Sequence, residues 1–214
     1  MISKPRHRRA ERAGTGGAPG NERLTAMTGL VLLLLFAAEG FTILSVHQMI
    51  TLHFFLGMLV LGPVALKICS TGYRFTRYYT GAAPYRRKGP PAPLLRLLGP
   101  VVIATSLGVL GSGVMLAITG PGQAGPWLLL HKGFFILWFG AMTIHVLWYA
   151  PRLPRLLAAR PADRAYRALA GAPVRYGLLA ASLAAGLILA VATLHLAAAW
   201  HFGTFLGGAK GTGK

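Results

Sequence analysis

The sequence predicts an all-α integral membrane protein, a bundle of five transmembrane helices, on three observations. Of its 214 residues, 54% are apolar and only 12% are charged. Five stretches are each long and apolar enough to cross a bilayer core of about 30 Å, which takes about 20 residues at 1.5 Å rise. The Lys and Arg residues gather between these stretches rather than inside them. A mean hydropathy of +0.56 is likewise far above that of an ordinary soluble domain. Composition excludes a disordered chain. With Cys69 the single cysteine, it also excludes a disulfide scaffold and a tetrathiolate zinc module.

The first two spans share one apolar region from Leu24 to Ile68, about twice the length of a single crossing. It breaks at its most polar run, Ser45-Val46-His47-Gln48, which predicts Leu24–Val46 and Met49–Ile68. The third span, Leu97–Thr119, is closed by Gly120-Pro121-Gly122, a turn that a helix does not cross. The fourth, Trp127–Tyr149, is stopped by Pro151 and Pro154. The fifth follows Pro173 and runs from Tyr176 to Trp200. The domain layout is then a basic arm over residues 1–23, a transmembrane domain over 24–200 and a tail over 201–214.

A net charge of +18 suggests at first a nucleic-acid partner. Its distribution argues otherwise. Residues 1–23, 67–96 and 150–175 hold six, seven and six Lys or Arg, nineteen of the 22, whereas the turns at 46–48 and 120–126 hold none. The positive-inside rule then puts the N-terminus in the cytoplasm and the C-terminus outside. The first apolar run has no small-residue cleavage site after it, so it reads as an uncleaved anchor. The stretch Ser70–Gly81, where Arg74 and Arg77 alternate with Tyr73, Phe75, Tyr78 and Tyr79, reads as an interfacial belt facing anionic lipid, with a docked protein as the alternative. The tail Gly207–Lys214 spells part of a phosphate-binding loop, but it lacks the final Ser or Thr and the flanking strand and helix.

Polar groups at depth are costly and therefore mark candidate sites. By rise from the helix centres, His53 and His131 lie about 9 and 11 Å outside the midplane. His195 reaches a similar level, and Glu39 is the one acidic residue inside a span. His145 follows His131 by 14 residues, about 21 Å along the helix and within about 40° of the same face. The same interval separates His53 from Lys67, and aligning the two segments superposes Leu59 on Leu137 and Gly62 on Gly140. Imidazoles on two helices can bind iron axially, provided small residues clear space for a flat porphyrin. Gly57 and the Ala104/Gly108/Ser112 stripe are candidates for that clearance, although such stripes also serve close helix packing. Glu39 reads as a quinol proton acceptor, as a group orienting a ligand histidine, or as a protonated carboxyl satisfied by a neighbour. Lys132 and Lys67 read as snorkelling to the interfaces, Lys132 having haem-propionate pairing as its alternative.

These residues resemble the small bacterial membrane cytochromes b that anchor hydrogenases, formate dehydrogenases and related reductases. The resemblance covers about residues 24–150 and rests on His53 with Gly57, on His131 with His145, and on the basic connections. It implies a b-type haem held by His53 and His131, with His195 and His145 as alternative ligands. His145 would serve a second haem only if Lys67 stood in for a histidine. It also implies electron transfer between quinone and an extracytoplasmic redox protein or larger oxidoreductase complex, in the bacterial cytoplasmic membrane. The chain would be an electron-transfer subunit rather than a complete enzyme. Two other classes stay open at this point: an intramembrane copper, zinc or iron site or transport path built from His53, His131, His195 and Glu39, and a non-redox membrane scaffold or assembly factor.

Overall fold

The computed structural model describes residues 17–87, 89, 93–152 and 171–201. Among them the chain is helical, with no strand, and five long helices are apolar enough to cross a membrane. They are α1 (Gly17–Ile43), α2 (Ile50–Tyr79), α3 (Pro93–Thr119), α4 (Ala124–Tyr149) and α5 (Ala172–Thr193). A single helical turn, Ala83–Arg86, lies between α2 and α3, and short 3-10 turns follow α3, α4 and α5.

The expected breaks hold. α1 ends two residues before Ser45, whose carbonyl accepts the N–H groups of Gln48 and Met49. α3 ends at Gly120, where φ of +67° requires a residue without a Cβ. The helix ends differ from the hydropathy reading, because helices run on past the apolar core. α1 starts at Gly17 rather than Leu24, and its first turns are tied to α2: Asn21 Nδ2 donates to the Ser70 carbonyl at 3.0 Å. α2 continues through the Arg/Tyr stretch to Tyr79 instead of ending at Ile68, because nothing breaks it before Gly81, where φ is +84°. Ser70–Tyr79 is therefore a helical extension and not a connection. The arm over 1–16, most of the 150–175 connection and the tail over 202–214 lie outside the described residues.

Neighbouring helices alternate in direction. Thr42 meets His53 and Asn21 meets Ser70 across α1/α2; Gly62 meets Ser182 and Thr51 meets His201 across α2/α5; Ser112 meets His131 and Ser106 meets Trp138 across α3/α4. One end of the bundle thus carries the start of α1, α3 and α5 and the finish of α2 and α4, which is where the cations gather.

The five helices form two packed units. α2 packs extensively on α1 and α5, α3 packs on α4, and the units touch only lightly between α2 and α3. The α2/α5 crossing is the tightest. Pro63 has no N–H to give the Leu59 carbonyl, and Gly186 of α5 lies against that oxygen while Gly62 lies against the carbonyl of Ser182. Only glycines permit this approach, which lets Cα–H groups face the oxygens. Between the two units the Phe36 ring meets Trp138 edge-on at 4.8 Å, and the Trp138 indole N–H donates to Ser106 Oγ at 3.0 Å.

Candidate functional site

The part of the seam between the two units that is remote from the basic end carries a cluster of polar groups. On α1, Thr42 is fully buried, and its hydroxyl donates to the Glu39 main-chain carbonyl at 2.6 Å. That bond uses the single hydroxyl hydrogen, so Thr42 Oγ1 can only accept from its other neighbour, His53 Nδ1, at 2.9 Å. Glu39 Oε1 stands 3.0 Å from the same nitrogen. Nδ1 of His53 therefore carries a hydrogen shared between Thr42 and Glu39. Gly57, one turn further along α2, borders that carboxylate, a Cβ there lying at an ordinary contact distance of 3.5 Å from Oε1.

His131, on α4, is fixed in the same way from α3. Its Nδ1 lies 2.9 Å from the Val109 carbonyl, which can only accept, so Nδ1 again carries the hydrogen. Ser112 Oγ is 3.3 Å from that nitrogen and gives its own hydrogen to the Gly108 carbonyl at 2.6 Å. Gly113 forms the wall beside the ring, because a Cβ there would lie 3.2 Å from Cε1 and 3.4 Å from Nδ1. Thr42, Gly113 and the Val109 carbonyl are site groups that sequence reasoning missed.

The two imidazoles face each other across the seam, with ring centroids 6.2 Å apart and planes at 87°. Their Nδ1 atoms are bonded to different helices, α1 and α3, and among the described residues neither Nε2 makes a hydrogen bond. Which nitrogen of a histidine is free to ligate is set by the bond the other one makes. Here both rings keep Nε2 free. A centroid separation of 6.2 Å lies near the roughly 6.3 Å that two imidazoles sharing one metal ion would have, so the donor set of these two residues is compatible with a shared ion. Glu39 Oε2 is buried without a hydrogen-bond partner among the described residues.

The remaining candidates are scattered. His195 shares the depth but not the site: it is exposed, its Nδ1 lies on the Ala192 carbonyl, and α5 packs on the face of α2 away from His53. Among the described residues no three of His, Cys, Asp and Glu come together as metal ligands, so the four-group layer of His53, His131, His195 and Glu39 is not assembled. Lys132 is exposed. Gly108 lies under the Phe134 ring and so serves α3/α4 packing, whereas Ala104 is exposed.

Toward the basic end, Lys67 does not snorkel. Its Nζ donates to the Thr25 carbonyl of α1 at 2.6 Å, over Gly29. His145 rests against Tyr149 with centroids at 5.0 Å, and its buried Nδ1 has no hydrogen-bond partner among the described residues. Compared with known proteins, the chain matches no family model, no curated protein and no solved structure.

Proposed function

We propose that this protein is a membrane electron-transfer protein, a b-type cytochrome in which His53 and His131 hold one haem in the half of the bilayer remote from the basic end. The observation that carries this reading is the pair of opposed imidazoles, each with Nδ1–H committed to another helix and Nε2 unused. A haem in this position supplies one-electron chemistry. The chain supplies the rest: Thr42 and Glu39 orient His53, the Val109 carbonyl and the Gly113 wall orient His131, and the apolar helices exclude water from the seam.

The electrons would pass between quinone and an extracytoplasmic redox partner or larger oxidoreductase complex. In this reading the chain would act as an electron-transfer subunit of an oxidoreductase system. The gathering of cations at one end supports a bacterial cytoplasmic membrane location with that end inside.

The test is a reduced-minus-oxidised absorption spectrum of the purified protein, with haem quantified per chain. One haem per chain is expected. Colourless protein from a haem-sufficient host would overturn the reading, and copper or zinc found by elemental analysis in its place would move the site to metal-ion chemistry. Two haems per chain would add Lys67 and His145 as a second ligand pair.

A further inference from the structure

On the α1/α4 flank of the seam each unit presents one ring to the other, and each ring is seated in its own unit. Trp138 is held on α3 by its indole N–H, which donates to Ser106 Oγ, and it leans on Phe135 with centroids 6.4 Å apart. Phe36 packs against the buried Leu32, Val60 and Val64 of α1 and α2. Where the two meet, edge-on at 4.8 Å, both rings are backed by packed helices. On the other flank α2 and α3 share the cluster of Met58 and Ala117. The imidazole pair joins α2 to α4, the diagonal between these two contacts. Trp138 follows His131 by seven residues, two turns and about 10 Å along nearly the same face of α4, and Phe36 precedes Glu39 by three on α1.

We propose that Trp138 is a positioning residue: its ring, seated on Ser106, is the spacer that holds the α3/α4 unit where the planes of His131 and His53 cross at 87°. Helix spacing follows the side chains at the contact, and small ones let membrane helices approach. With the Met58/Ala117 contact as the fulcrum, the α1/α4 spacing sets how His131 stands toward His53. α4 is one continuous helix from Ala124 to Tyr149, so it carries a displacement at Trp138 to His131. A wide ring makes the spacer, and a buried indole is tolerated because its N–H finds Ser106. The inference deepens the haem reading and rests on it for its spectrum, but its distance measurement needs no haem.

The experiment measures the spacing of the units in the full chain in nanodiscs, by pulsed electron double resonance between two nitroxide labels. One is on Cys69, the single cysteine, exposed on α2; the other is on Gly140→Cys of α4, where a Cβ meets nothing within 4 Å. Trp138→Ala should shift the mean distance by about 2 Å, the difference between helix contacts made by large and by small side chains. Trp138→Phe, which keeps a ring, should shift it much less. Phe36→Ala thins the same contact from α1 and should act as Trp138→Ala does, so the test survives a Trp138→Ala protein that fails to fold. Phe139→Ala, next in sequence but exposed, is the control and should change nothing. In haem-loaded protein the ferric electron paramagnetic resonance spectrum reports the angle between the axial imidazole planes, and Trp138→Ala should move its largest g value. An unchanged distance in the folded alanine variants would overturn the proposal. So would an equal shift in Phe139→Ala, or a shifted distance with an unmoved g value, because the spacer would then not set the planes. Colourless protein would overturn the haem reading alone, since the distances are read without haem.

Discussion

Glu39 Oε1 stands 3.0 Å from Nδ1 of His53. The carboxyl of one helix thereby fixes the orientation of an imidazole on the next. Thr42 shares that hydrogen, so the two groups are partly redundant. Outer groups of this kind are worth about 10–100-fold in metal affinity. Glu39→Ala is therefore expected to lower haem retention toward the lower end of that range, and Thr42→Val alone to do the same. The double variant should lose most of the haem. Haem titration of apo-protein measures all three, and full retention in the double variant would show that neither group positions His53.

Removal of either imidazole should abolish the haem spectrum, because the proposed site takes one ring nitrogen from each side of the seam, from His53 and from His131. His53→Ala and His131→Ala are expected to purify colourless, and His195→Ala to keep its full spectrum, since that ring lies on Ala192 away from the pair. A coloured His131→Ala protein would remove His131 from the ligand set.

The comparison of these histidines shows what the sequence carried and what it did not. Depth in a membrane helix can be counted from rise alone, so the level of His53, His131 and His195 was legible. Azimuth requires knowing which faces pack, and α5 turned out to lie on the face of α2 that carries Gly62, away from His53. The five spans were legible because apolar length is a strong signal. Their ends were not, since Arg and Tyr continue a helix as well as they form an interface, and α2 runs to Tyr79. The groups that fix His131 are a main-chain carbonyl, which has no sequence signature, and one glycine in a chain containing 28. Gly57 was legible as a small residue one turn from His53, but the Glu39 carboxyl beside it was not.

Gly113 gives a way to move His131 without removing it. A β-branched side chain there would push on Cε1 and Nδ1, which a Cβ alone already approaches to 3.2 and 3.4 Å. Gly113→Val is expected to fold, because the ring can swing away, but to bind haem about tenfold more weakly or worse. Gly113→Ala should fall between. Haem occupancy measured alongside the melting temperature separates this from a general loss of stability.

Lys67 is expected to be dispensable for stability. Its ammonium donates to the Thr25 carbonyl, an oxygen inside α1 that already accepts the helical N–H four residues on. Lys67→Met leaves no group stranded and replaces a buried amine with an apolar chain of similar length, so the change should stay within about 1 kcal/mol. The measurement is unfolding of the purified protein in mixed micelles by a denaturing detergent. A loss much larger than this would show that the amine holds α1 to α2.

The α2/α5 crossing should behave in the opposite way. At Gly62 a Cβ would fall on the Ser182 carbonyl, and at Gly186 on the carbonyl of Leu59, both of them main-chain atoms that cannot swing aside. Adding one methyl group must therefore separate the helices along their contact. It would also uncover the Leu59 oxygen, which Pro63 leaves without its helical donor. Overpacking costs about 1–3 kcal/mol where side chains can adjust; here only backbone can move, so Gly62→Ala and Gly186→Ala should lie at or above the top of that range. Gly140→Ala, where a Cβ meets nothing within 4 Å, serves as the control and should change little. The pair Gly62→Ala with Gly186→Ala should cost less than the sum of the two, because once the helices have parted the second methyl group meets a space already opened. Additive losses would mean that the two glycines act at separate contacts.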